Sequence, residues 1–201
     1  MLITVEGIEG SGKSSIIDFV EKFLKQRGFK VAVFREPGST RIGEKIRSIL
    51  LDRDNKELSP YTELLLYLAA RTQLIEEKLK KALKEHDVVI CDRFFDSTIV
   101  YQGYALGLGR IVQRAVKMFS LGIKPDLTIL LDTKVENGLK RIKRKDRIES
   151  RSLAFHRRLK RGYRLLAKEN PQRIHVINAD KKLFYMFRDV ERLIEKYVKR
   201  K

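Results

Sequence analysis

Gly7-Ile8-Glu9-Gly10-Ser11-Gly12-Lys13-Ser14 follows the apolar run Leu2–Val5 and precedes a stretch of helical periodicity, Ile16 to Lys25, that stops at Gly28. Strand, glycine-rich turn and helix start occur in that order, with the G-x-x-x-x-G-K-S spacing of a P-loop. Gly7, Gly10 and Gly12 lack a Cβ, so the backbone can reach positive φ and turn its N–H groups inward around phosphate oxygens. Lys13 can reach β- and γ-phosphates. Ser14, in the first turn of a helix whose N-terminus favours anions, can ligate magnesium through its hydroxyl. The expected ligand is ATP with Mg2+, contacted along Gly7, Ile8, Glu9, Gly10, Ser11, Gly12, Lys13, Ser14 and Ser15.

Four more short apolar runs follow: Val31–Phe34, Val88–Cys91, Leu127–Leu131 and Ile174–Ile177. Runs of this kind read as strands buried on both faces of a parallel sheet. Helical segments separate them, among them Tyr61 to Leu83, entered through Ser59-Pro60 as cap and first-turn proline. Leu183, Phe187, Val190, Ile194 and Val198 space out an amphipathic C-terminal helix. The expectation is an α/β fold, a doubly wound five-stranded parallel sheet with helices on both faces, formed by residues 1–201 as one domain.

Ligands of such sheets bind beyond the carboxyl ends of the strands. Behind the second run stands Arg35-Glu36-Pro37-Gly38, behind the third Asp92-Arg93-Phe94, and behind the fifth the small polar corner Asn178-Ala179-Asp180, whose Ala179 is assigned to the ATP site. A second anion site built from arginines therefore faces the P-loop, as phosphoryl transfer to a phosphorylated acceptor requires.

The net charge of +18 is lopsided: residues 1–100 hold 17 Lys/Arg against 16 Asp/Glu, and residues 101–201 hold 27 against 10. Twelve basic residues fall between positions 140 and 164, with only Asp146 and Glu149 opposing them. Part of this run is a solvated helical face, and the rest calls for a phosphate-rich partner. Cys91 is the only cysteine, which excludes an internal disulfide, and His86, His156 and His175 lack ligand spacing. No apolar run approaches the ~20 residues that span a bilayer, and no signal-peptide pattern opens the chain, so a cytoplasmic protein without membrane contact is expected.

Glu6-Gly7-Ile8-Glu9-Gly10-Ser11-Gly12-Lys13, Arg35-Glu36-Pro37-Gly38, Asp92-Arg93-Phe94 with Ser97, Tyr101-Gln102-Gly103, Pro125-Asp126-Leu127 and Asp146-Arg147-Ile148-Glu149 together resemble the thymidylate kinase family. The resemblance implies magnesium-dependent transfer of a phosphoryl group from ATP to dTMP on a homodimeric P-loop kinase. It implies that Glu9 binds the sugar 3′-hydroxyl and that Arg93 holds the acceptor phosphate, with Arg35 and Arg47 as helpers. Tyr67 would stack on thymine and Arg71 would read its O4; four residues apart, they share one helical face. Ser97, Thr98, Tyr101 and Gln102 would contact base and sugar, with Tyr101 crowding a 2′-hydroxyl. Asp92 would orient water or the metal near the transferring group.

Three departures stand out. Phe94 replaces a common tyrosine, Tyr67 a common phenylalanine, and Gly10 an arginine that some members place in the P-loop. The catalytic arginine must then come from a basic lid at about 140–151, where Arg141, Arg144, Arg147 and Arg151 are the candidates. Two alternatives share these features: a kinase for another nucleoside monophosphate, and a nucleic-acid-binding ATPase module using the basic half. The second lacks aromatic-basic interleaving or a recognised motif, so nucleic acid is not expected as a partner.

Overall fold

The computed structural model describes residues 1–198; the last three positions of the expected 1–201 domain lie outside the described residues. Five parallel strands form the sheet: β1 Leu2–Gly7, β2 Val31–Arg35, β3 Val88–Asp92, β4 Leu127–Asp132 and β5 Ile174–Asn178, in spatial order β2-β3-β1-β4-β5. Val5 lies beside Asp92, and Gly7 beside Leu131, so the strand ends carrying the P-loop and Asp92-Arg93 stand side by side. The central strands are buried on both faces, as their apolar runs dictate. The edge strands β2 and β5 are only half buried, which corrects the expectation for those two runs.

Side chains along β1 alternate between faces. Ile3 and Val5 join Ile16, Val20 and Leu24 of α1 (Lys13–Gln26) and Val190 and Ile194 of α9 (Leu183–Tyr197) in one core. On α9 the burial falls on Met186, Val190, Leu193 and Ile194, while Leu183 is exposed. Opposite, Leu2 packs under α3 (Pro60–Leu74) and α6 (Gly109–Phe119), and Leu130 under α8 (Leu153–Glu169). Glu6 shares a face with Leu2 and so projects its carboxylate into the interior.

α2 spans Arg41–Leu51 and starts at Thr40, whose side chain accepts from Gly43 N. The expected helix from Tyr61 to Leu83 is interrupted: α3 gives way to a π-helical segment, Ile75–Leu79, before α4 (Lys80–Glu85). A second π-helical segment, Ile99–Ala105, continues the short α5 (Phe95–Thr98). It buries Tyr101 and Gln102 next to each other, a local geometry frequent at functional sites. After α7 (Val135–Lys140), residues 141–152 form an irregular basic segment laid back across the strand ends.

Candidate active site

The P-loop is pinned against α7 at backbone distance. Gly10 has φ +68°, and a Cβ there would stand 2.0 Å from the Gly138 carbonyl oxygen. No side chain fits this position, so an arginine cannot enter the site from it. One turn after Gly138, Arg141 donates from Nη1 to the Gly10 carbonyl at 3.1 Å, placing a guanidinium on the loop from the other side. Lys13 donates to the carbonyls of Gly7 and Ile8 at 3.1 and 3.0 Å. Burial, then the charge of Arg93, lowers the Lys13 ammonium to about 8, against the opposing pull of Asp92, Glu9 and Glu6.

Beyond the P-loop a cavity of about 460 Å³ opens, lined on one side by Gly10, Gly12, Lys13, Ser14 and Ser15 and on the other by residues from the ends of β2 and β3, from α3 and from the π-helical turn. All ten residues expected to hold the acceptor line it: Glu9, Arg35, Arg47, Tyr67, Arg71, Arg93, Ser97, Thr98, Tyr101 and Gln102. Asp92 lines it too, with a buried Oδ1 that has no hydrogen-bond partner among the described residues.

Arg93 adopts φ +68°, a left-handed conformation unusual for a side chain of this size, and its N–H donates to the Val5 carbonyl. From there its guanidinium reaches Ser97 Oγ at 3.0 Å, Tyr163 Oη at 3.1 Å and Glu9 Oε1 at 3.3 Å. Glu6 lies behind this turn and accepts from Phe94 N at 2.8 Å, Ser97 Oγ at 2.6 Å and Tyr163 Oη at 2.9 Å. Burial, followed by the charge of Asp96, pushes the Glu6 carboxyl up to about 7, despite the lowering influence of Arg93.

Burial also pushes on Glu9, but it is more than offset by the His156 imidazole, the charges of Arg93 and Lys13 and the Tyr101 hydroxyl, which hold the carboxyl at about 2. Tyr101 donates to Glu9 Oε1, and His156 Nδ1 lies 3.2 Å from Oε2. A carboxylate held so firmly beside an arginine has its orientation set in advance.

Further from the P-loop, where the base was expected, Arg71 is 2 % exposed and meets Glu36 Oε2 at 2.8 Å from Nε and 2.7 Å from Nη2, while Nη2 also reaches Thr98 Oγ1 at 2.9 Å. Its Nη1 is buried without a hydrogen-bond partner among the described residues. Arg47 donates to the Pro37 carbonyl, and Arg35 is engaged by Glu44 at 3.0 Å. Burial, then the charge of Glu63, raises the Tyr67 phenol.

The lid candidates separate. Arg141 lines the cavity and Arg144 is exposed. Arg147 and Arg151 do not line it: both bond to the fully buried Glu63, at 2.7 and 2.5 Å, and Arg147 also donates to the Leu50 carbonyl. Gly7, Ile8, Ser11 and Ala179, expected at the ATP site, do not line this cavity, and Ala179 is buried in the core with residues of α1 and α9. Sequence reasoning missed Glu6, Glu36, Glu63 and His156 as parts of the assembly, along with Asp146, Ile148 and Glu149, which line the cavity. Glu6, Glu36 and the Asp146-to-Glu149 stretch carried a local signal, being quoted within motifs; Glu63 and His156 were not.

A P-loop and a pocket walled by arginines opening into one cavity, on a parallel sheet of order 2-3-1-4-5, define a P-loop kinase. The thymidylate kinase family profile matches residues 5–190. A thymidylate kinase from Thermoanaerobacter sp. (strain X514) is 43 % identical over 199 residues, covering 98 % of each chain, and one from Bacillus pumilus (strain SAFR-032) is 40 % identical over 206 residues, covering 100 % of this chain and 97 % of its own. The crystal structure of thymidylate kinase from Ehrlichia chaffeensis superposes with a TM-score of 0.79 at 30 % identity, over 96 % of this chain and 98 % of the other. This chain belongs to the thymidylate kinase family.

Proposed function

We propose that the chain transfers the γ-phosphoryl group of ATP to the phosphate of dTMP, giving ADP and dTDP. The observation that carries this reading is the single cavity joining the P-loop lysine to an arginine-walled pocket. ATP lies with its phosphates in the P-loop, and dTMP lies with its phosphate on Arg93, helped by Arg47 and Arg35, its sugar against Glu9 and Tyr101, and its base between Tyr67, Arg71 and Gln102.

The acceptor phosphate is already nucleophilic at neutral pH, so little covalent chemistry is left to the protein. Its work is alignment of two polyanions, charge neutralisation and exclusion of water. Lys13 neutralises charge on the donor and Arg93 on the acceptor. Arg141 is the lid arginine that stabilises the group in flight, because the close packing of Gly10 on Gly138 denies that role to the P-loop. Segment 141–152 acts as the lid of a one-domain enzyme, held shut by Glu63.

Magnesium fits this site: Ser14 offers a hydroxyl and Asp92 an unpartnered buried oxygen, a sparse oxygen set that suits an ion arriving with the nucleotide and keeping several waters. When bound, it would be held by Ser14 and Asp92 and would offset the negative charge that develops on the phosphates.

The working form is a homodimer in the cytoplasm. Ile42 and Ile49 on α2, and Ile111 and Met118 on α6, are exposed apolar pairs seven residues apart, each on one helix face. No helix among the described residues is long and apolar enough to cross a membrane. The test is dTDP formation from ATP and dTMP by the purified chain: turnover that depends on both substrates and vanishes in Lys13→Ala supports the reading, and its absence in the wild type would end it.

A further inference from the structure

Glu63 does not touch the phosphate path, yet it is fully buried and joins three parts of the molecule. Its Oε2 takes guanidinium donors from Arg147 and Arg151 of segment 141–152, and its Oε1 accepts from Gln102 Nε2 at 2.8 Å. We propose that Glu63 is a positioning residue that sets acceptor-base specificity by fixing the Gln102 amide with its carbonyl oxygen toward the cavity. The proposal rests on the reading of this cavity as the dTMP site.

An amide side chain has two ends of nearly equal shape, and only its partners decide which way it points. Two guanidinium groups, which can only donate, occupy one oxygen of Glu63; the carboxylate can therefore offer Gln102 nothing but an acceptor. The –NH₂ end must face Glu63, which leaves the carbonyl oxygen for the cavity. Beside it stands Arg71, linked through Thr98 one turn before Gln102, with Nη1 buried and unpartnered. The wall thus presents a donor next to an acceptor.

Thymine offers the complement, the O4 acceptor next to the N3–H donor. Cytosine offers the reverse, an amino donor next to a bare ring nitrogen, so donor meets donor and acceptor meets acceptor. Buried mismatches of this kind cost far more than a missing methyl group. Because Arg147 and Arg151 hold Glu63 from the 141–152 segment, the base is read fully only while that segment is docked.

Glu63→Gln tests this. A glutamine at position 63 can offer either end to Gln102 and so frees the flip. The expected result is that the kcat/KM ratio of dTMP over dCMP falls by about tenfold or more. A merely structural loss would lower both acceptors alike; an unchanged ratio in folded protein therefore overturns the proposal. Should Glu63→Gln fail to fold, wild-type enzyme is given N3-methyl-dTMP, which has no N3–H. It is expected to be refused, and turnover comparable with dTMP would overturn the proposal. Absence of dTMP turnover in the wild type would overturn both this and the function it rests on, whereas dTMP turnover with an unchanged ratio sinks the proposal alone.

Discussion

Removing Arg71 separates a stability effect from a binding effect in one experiment. In Arg71→Met the stem volume survives, but Glu36, 4 % exposed and bonded through Oε2 to this guanidinium, is left as a buried carboxylate without its partner. Breaking a buried pair from one side costs about 3–5 kcal/mol, and in a chain of this size each kcal/mol shifts Tm by roughly 2–4 °C, so a fall of about 6–20 °C is expected. The loss should shrink at low pH. Burial already raises the Glu36 carboxyl, and without Arg71 it rises further, so the folded variant takes up a proton on acidification and sheds the unpaired charge. Glu36→Gln/Arg71→Met removes both members and should regain at least half of the lost stability. Activity should not follow: loss of a charged hydrogen bond to the base is worth about 1.5–3 kcal/mol, or roughly 10- to 150-fold in kcat/KM for dTMP, in single and double variants alike. Calorimetry from pH 5 to 8 and steady-state kinetics read the two effects. A double variant no more stable than the single, or one that recovers dTMP turnover, would refute the reasoning.

Lys13→Ala should abolish turnover while leaving Tm nearly unchanged, checked by coupled ADP production and thermal melts. ATP affinity should weaken above about pH 8, because the free-enzyme ammonium at about 8 must be protonated to meet phosphate; isothermal titration from pH 7 to 9.5 shows this as proton uptake on binding. Folding stability should fall as pH rises from about 4.5 through 7: folded Glu6, raised from 4.5 to about 7, still holds a proton that the unfolded chain has released. This is worth about 3 kcal/mol, and Glu6→Gln should flatten that part of the Tm-against-pH curve. Arg141→Ala should lower kcat by about 10³-fold or more and Arg144→Ala by only a few-fold, as stopped-flow or steady-state rates would show.

What was legible in the sequence followed local rules. The P-loop announces itself because three glycines, a lysine and a serine must keep their spacing, and the central strands because burial on both faces leaves short runs dominated by Val, Ile and Leu, broken only by Thr4, Cys91 and Thr128. Arg35 and Arg93 could be placed because each stands just behind a strand, and parallel pairing brings strand ends together. Long-range partnerships were not legible. Glu63 lies 84 residues from Arg147 and 88 from Arg151, and on α3 it reads as an ordinary first-turn acid. Arg147 and Arg151, in a run of exposed cations, gave no sign of being bound inward. Glu6 looked like the polar end of a strand until the alternation along β1 turned it toward Tyr163. His156 had no ligand spacing because its neighbour Glu9 comes from the other end of the chain.

The most direct measurement is ADP production from Mg·ATP with dTMP, dUMP, UMP, CMP, dCMP, AMP and GMP in turn, against an acceptor-free control. The account predicts strong preference for dTMP, rejection of the cytosine and purine nucleotides and little hydrolysis without acceptor. A different preferred monophosphate would contradict the pocket, and activity that needs DNA or RNA would contradict the kinase itself.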